Sequence, residues 1–218
     1  MGQSATLLTM LQTGDSAFPS GAFAFSNGLE TLVAEGVVPA QISLSDLLID
    51  QIAPRWLEFD RYFLNAALQA SDVAAVDRDC HLRQSVPELA AASLRMGLAL
   101  LTSHARIGTA GLADYLARDR DAAPGHAPVV QGLAARALGL GSAEAEAAAF
   151  HGVLSGFASA AVRLGQIGAL NAQRVLRAAI AQHAEALAAP VSAPSAFVPV
   201  ADIATQRRDA RAVNLFAT

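Results

Sequence analysis

The sequence predicts an all-α protein, and three observations carry that prediction. Apolar residues make up 53 % of the chain, and most of them are Ala and Leu, both strong helix formers. Aromatic residues are only 6 % and β-branched residues are sparse, so a sheet-rich fold has little to build with. Apolar side chains recur at helical spacing, and no strand-like alternation survives inspection. With 218 residues the chain can bury a sizeable core without staples.

From the N-terminus, Leu7, Leu8 and Leu11 share a helical face, and Gly14 ends it. Pro19 and Gly21 mark a turn. A second helix is expected from Ala22 to Glu35, closed by Gly36. Ser45 is the expected N-cap of a helix carrying Leu47, Leu48 and Ile52. Pro54 is expected to kink or restart that helix, because it has no N–H to give the preceding turn. Trp56, Phe59, Phe63 and Leu64 continue its apolar stripe.

Ser71-Asp72 caps a helix through Cys80 and Leu82. Pro87 sits at a first helical position and opens a long pattern through Leu89, Leu94, Leu98 and Leu101. Gly108-Thr109-Ala110-Gly111 breaks it. Arg118-Asp119-Arg120-Asp121 and Pro124-Gly125 read as a solvated loop. A helix is expected from Pro128 to Leu138, ending in Gly139 and Gly141. Ser142 is the expected cap of the next, which runs through Phe150, Leu154 and Phe157 toward Val162. Asn171 is expected to begin the last long helix, through Val175 and Ile180. Pro190, Pro194 and Pro199 then break the chain, with a short helix expected after Asp202. The organisation is one helical domain over residues 1–189, then a Pro-rich linker and C-terminal arm over 190–218.

Composition narrows the function. A net charge of -4 argues against a nucleic-acid binder, which would carry a basic stripe. Cys80 is the only cysteine, so no internal disulfide forms and a reducing compartment is the simple inference. No apolar run approaches the roughly eighteen residues of a membrane helix, and no signal peptide is evident. The expectation is a cytoplasmic protein that meets neither membrane nor nucleic acid.

The most informative stretch runs from Gly14 to Glu30. It packs Phe18, Phe23 and Phe25 with Pro19 and three glycines around a break between helical patterns. It holds no nucleophile–base pair, metal cage or phosphate cradle. On an α-helix Phe23 and Phe25 would lie about 200° apart. One would then face the core and the other an exposed apolar patch, the mark of an interface. Glu30 reads either as a solvated carboxylate or as the complement of a basic partner. At the other end, Arg207, Arg208 and Arg211, with Asp209 among them, form the densest basic cluster, with the apolar pair Leu215-Phe216 beyond it. That pattern reads as an arm that docks on a partner, with arginines pairing carboxylates and Leu-Phe buried.

Metal chemistry finds no foothold. Cys80 and His81 are adjacent, so on a helix they diverge by about 100°. His104, His126, His151 and His183 have no ligand partner at i+4. No catalytic, cofactor-binding or metal residue is expected.

Four ordered segments resemble the UreF-type urease accessory proteins. Pro19, Gly21, Phe23, Phe25, Ser26, Gly28, Leu29 and Glu30 fall on that family's N-terminal signature. Glu88-Leu89 with Met96-Gly97 is similar to its E-L-R…Q-M-G helix. Ala160-Ala161-Val162-Arg163-Leu164, Gly168 and Gln173 resemble its A-A-[IV]-[KR]…P-L-G-Q…G-Q segment. Asp202-Ile203-Ala204, Arg207-Arg208, Asp209 and Leu215-Phe216 resemble its tail. Departures fall mostly at polar positions: Gly14-Asp15-Ser16-Ala17 where the family often has its first proline, Ala90 for Arg, Gln166 for Pro, Ala169 for Gln, Arg208 for His, Asp209 for Glu and Asn214 for Arg.

The resemblance implies an all-helical, homodimeric protein with no chemistry of its own. It implies a complex with the accessory protein UreD (also called UreH) and the GTPase UreG, delivering nickel to apo-urease. It points to Phe18, Pro19, Phe23, Phe25, Glu30, Arg163, Asp202, Arg207, Arg208, Asp209, Leu215 and Phe216 as partner-binding residues. Two alternatives stay open. Arg163 or a tail arginine could act on UreG as an inserted finger that stabilises phosphoryl charge. Or the chain could be a divergent helical adaptor outside urease maturation. The bland reading of Arg163 is a half-buried structural ion pair.

Overall fold

A computed structural model describes residues 2–191, 193–207 and 215–216. Every regular element among them is helical, so the all-α expectation holds. Helix α1 spans Gln3–Gly14. A single 3-10 turn, Ala22–Ala24, precedes α2, Leu29–Ala34. Helix α3 is one continuous path over residues 44–69. Then come α4 (Val73–Leu82), α5 (Pro87–Arg106), α6 (Leu112–Leu116), α7 (Ala127–Ala137), α8 (Ser142–Arg163), α9 (Ala169–Ala188) and α10 (Pro199–Gln206).

Several boundaries differ from the sequence reading, each for a local reason. No helix joins Ala22 to Glu35. Phe25 is extended, and Asn27 (φ 52°) and Gly28 (φ 81°) turn left-handed before α2 begins. Gly28 is needed there, because a Cβ would lie 2.9 Å from the Ala201 carbonyl oxygen. Ser43, not Ser45, caps α3: the Asp46 N–H donates to Ser43 Oγ at 3.1 Å. Asp72 caps α4 as expected, accepting from the Ala75 N–H. Gly141 occupies the cap of α8, and Ser142 is already inside it. Helix α9 starts at Ala169 rather than Asn171.

Pro54 does not end α3. The helix widens into π turns over Leu48–Ile52 and Trp56–Asp60 on either side of Ala53–Arg55. A proline gives its turn no N–H, so carbonyls upstream of it lose their partner. Side chains replace that donor: His183 Nε2 lies 3.0 Å from the Ile49 oxygen, and Gln51 Nε2 donates to the Asp50 oxygen at 3.1 Å.

Two apolar clusters form the core, and α3 feeds both. One gathers Leu29, Leu47, Trp56, Phe150 and Phe157, with Trp56 and Phe150 rings 5.0 Å apart. The other gathers Phe59, Phe63, Leu101, Leu112 and Val129. Two glycines allow close backbone approaches, Gly132 to α3 and Gly97 to the loop before α7. A Cβ on Gly132 of α7 would stand 2.2 Å from the Leu64 oxygen, and one on Gly97 of α5 would stand 1.8 Å from the Gly125 oxygen. Arg61 is buried against Glu146 (3.0 Å) and donates to the Ala186 and Leu187 oxygens, tying off the C-terminal end of α9.

Candidate partner-facing surface

The N-terminal break, the end of α8 and the tail meet at one place. Arg163, the last residue of α8, donates from Nη2 to the Phe23 oxygen at 2.7 Å. Its guanidinium lies 3.5 Å from the Phe23 ring centroid and 4.1 Å from that of Phe216. A planar cation between two aromatic faces is the arrangement arginine makes and lysine does not. Arg163 forms no ion pair among the described residues, so the structural ion pair expected for it is replaced by this sandwich.

Glu30 is 6 % exposed, not solvated. Its two carboxylate oxygens accept the main-chain N–H groups of Leu215 (2.6 Å) and Phe216 (3.1 Å). Helix α2 supplies it, and the left-handed Gly28 aims that helix. Phe216 is thereby buried in the chain's own core (3 % exposed), while Leu215 stays outside. Arg207 pairs with Glu35 at 3.3 Å across open surface. Arg208 and Asp209 lie outside the described residues.

The three N-terminal phenylalanines take three environments. Phe25 is buried, with Arg95 over its ring at 5.2 Å. Phe23 is 61 % exposed on its outer side. Phe18 is half-buried against His104, rings 5.0 Å apart, and the Pro19 oxygen accepts from Ser103 Oγ. The divided fate comes from the break between Phe23 and Phe25, not from α-helical spacing. Val198 is buried and the Ser195 N–H donates to the Glu58 oxygen, so the Pro-rich segment lies along α3 and positions α10.

Behind Phe23 and Phe25 a cleft of about 560 Å³ runs inward. Phe18, Trp56, Met96 and Phe157 line it, and Arg55, Asp60, Gln84 and Asp202 gather polar groups at one part of it. Burial pushes the Asp60 and Asp202 carboxyls up, against the pull of the Arg55 charge. The sequence holds no signal for this grouping, because its members come from α3, the α4–α5 turn and α10.

It also holds none for a second buried network. His81 Nδ1 and His126 Nε2 are 3.0 Å apart, and His126 Nδ1 lies 3.1 Å from Ser93 Oγ. Ser93 Oγ accepts the Ala127 N–H, and Asp77 accepts from Gly125, His126 and the Tyr115 hydroxyl. Burial pushes His126 down to about 4, so its ring is neutral. A hydroxyl and an imidazole thus meet, yet their bonds run to the first N–H groups of α7: the network holds the start of that helix. Among the described residues no three His, Cys, Asp or Glu side chains form a metal-binding group.

The fold and this surface define an all-helical protein, with long-range polar contacts that secure helix ends and an exposed aromatic–arginine seam. The chain matches the UreF family model over residues 38–180 and belongs to the UreF family. The segment from Gly14 to Glu30 precedes those residues, but whole-length relatives span it. "Urease accessory protein UreF" of Cereibacter sphaeroides (strain ATCC 17023) is 31 % identical, covering 99 % of this chain and all of its own. "Urease accessory protein UreF 1" of Brucella melitensis biotype 1 is 32 % identical, covering 90 % of this chain and 86 % of its own. "Urease accessory protein UreF 2" of Brucella canis is 31 % identical over the same shares. No helix among the described residues is long and apolar enough to cross a membrane.

Proposed function

We propose that this chain is a cytoplasmic adaptor in urease maturation, without catalysis of its own. It bridges UreD (UreH) and the GTPase UreG while nickel, the cargo, is delivered to apo-urease, and it works as a homodimer. The seam of Phe23, Arg163 and the Leu215-Phe216 tail supports this reading best. An exposed ring stacked on an oriented guanidinium, with an exposed Leu beside it, gives a partner an apolar and a cationic contact at low entropic cost. Phe18, Pro19 and Phe25 shape that face from behind, Glu30 holds the tail, and Asp202 and Arg207 lie on the helix beside it and at its end; Arg208 and Asp209, outside the described residues, complete the proposed set of partner contacts. The body over residues 1–189 is the scaffold, and 190–218 is the arm that completes the docking surface.

The test is co-purification of the full chain with UreD (UreH) and with UreG, in parallel with Phe23→Ala, Arg163→Ala and a truncation after Arg207. The intact chain is expected to retain both partners, with the variants losing at least one of them by tenfold or more. Failure of the intact chain to bind either partner sinks the adaptor reading.

A further inference from the structure

One wall of the cleft behind the seam has little to hold it. Residues 15–23 form that wall, and no residue from 15 to 24 is buried; burial resumes at Phe25. The segment's main-chain bonds are local: the Phe18 N–H donates to the Asp15 oxygen, the Ser20 N–H to the Phe18 oxygen and the Ala24 N–H to the Gly21 oxygen. Among the described residues, two hydrogen bonds tie it to helices beyond α1. Ser103 Oγ of α5 donates to the Pro19 oxygen at 2.9 Å, and Arg163 Nη2 of α8 donates to the Phe23 oxygen at 2.7 Å. Gly152 and Gly156 of α8 also line the cleft, and a Cβ on either would meet no atom within 4 Å. One wall therefore leaves open space, and the other leans on few contacts. A segment with little buried apolar surface and exposed hydrogen bonds opens locally at low free-energy cost.

We propose that Arg163 latches this wall: residues 15–23 close the cleft while Phe216 is seated and swing outward when it leaves. One guanidinium serves both ends of the chain, lying 3.5 Å from the Phe23 ring centroid and 4.1 Å from that of Phe216. Phe216 is in turn fixed by the two main-chain N–H groups that Glu30 accepts. With Phe216 gone, the guanidinium meets water where the ring lay and its side chain regains rotamer freedom. Water then competes for the Phe23 oxygen, and the tie to the wall weakens. Seating of the tail and closure of the wall are thus coupled, and the coupling runs both ways. Given the partner-facing reading of the seam, on which this step rests, a partner that grips Phe23 and Leu215 together holds the cleft shut.

Trp56, the only tryptophan, lines the cleft and is 2 % exposed, so its fluorescence senses the opening. Acrylamide quenching of Trp56 in the full chain without partners tests the latch, while co-purification tests the adaptor reading separately. Phe216→Leu removes the ring yet keeps an apolar side chain in the core, and Glu30→Gln loosens the clasp. Each should raise the quenching constant about twofold or more, with far-UV circular dichroism equal to the parent's. Arg163→Ala should raise it as far, and adding Phe216→Leu to Arg163→Ala should then change nothing further, because the latch is already gone. Should Glu30→Gln fail to fold, Phe216→Leu and its pairing with Arg163→Ala decide alone. Parental quenching in Phe216→Leu, parental quenching in Arg163→Ala, or effects that multiply in the double variant overturn the proposal.

Discussion

The Glu30 carboxylate holds the Phe216 main-chain N–H at 3.1 Å, although 186 residues separate them. A second N–H, from Leu215, meets the other oxygen. These are charge-assisted bonds on a buried acceptor, the strong kind. They fasten the tail to α2 and so set where Phe216 meets Arg163.

Glu30→Gln should release that tail. One carboxylate oxygen becomes an NH₂ that cannot accept, and a main-chain N–H loses its partner. Losing a bond to a buried charge costs about 1–3 kcal/mol. Hydrogen exchange at Leu215 and Phe216 should accelerate at least tenfold, with little change in α5 or α7. Unchanged exchange at both residues would refute the clasp.

Arg163→Lys should fail almost as badly as Arg163→Ala. Lysine keeps the charge but cannot stack a plane between Phe23 and Phe216 while donating to the Phe23 oxygen. The stacked contacts are worth about 0.5–2 kcal/mol. Tail exchange should rise in both variants, and a Lys variant that behaves like the parent would show that charge alone suffices.

Gly97→Ala and Gly132→Ala should be the most damaging small substitutions in the chain. Each new methyl would strike a backbone oxygen, at 1.8 Å and 2.2 Å, and backbone cannot swing aside as a side chain can. Overpacking of this kind costs about 1–3 kcal/mol or more. Urea midpoints should fall for both, whereas Gly156→Ala, with no atom within 4 Å of its Cβ, should hold or gain. A neutral Gly97→Ala would contradict the close approach of α5 to the Gly125 backbone.

Acid should weaken the fold through His126. Its folded value, about 4, lies below the ordinary imidazole value of about 6.5, so the unfolded chain binds the extra proton first. The stabilisation is whole above about pH 6.5, declines as pH falls toward 4 and is lost below it, a total of about 3 kcal/mol. His104, also depressed by burial, adds to the same slope. Urea unfolding at pH 7.5 and pH 5 should show the drop, and His126→Gln should flatten it. A slope equal in parent and variant would assign the acid sensitivity elsewhere.

The helices are legible in the sequence because Ala and Leu at helical spacing leave few alternatives, and Pro87 and Asp72 mark two starts correctly. Pro54 misleads, since local chemistry says where a donor is missing but not that His183 lies across the fold beside the freed carbonyl. Phe23 and Phe25 do not share the helix their spacing suggests, because the left-handed turn at Asn27 and Gly28 depends on α10 packing against it. Glu30 and Arg163 stand out by motif, but their mutual service to the tail is a long-range contact with no periodic trace. The grouping of Arg55, Asp60 and Asp202, and that of His81 with His126, are of the same kind.

The widened turns around Pro54 let a single rod pass through both apolar clusters. Leu47 and Trp56 belong to one, Phe59 and Phe63 to the other. The two halves of the interior therefore share one helical spine, so a substitution that breaks this helix disturbs both clusters at once.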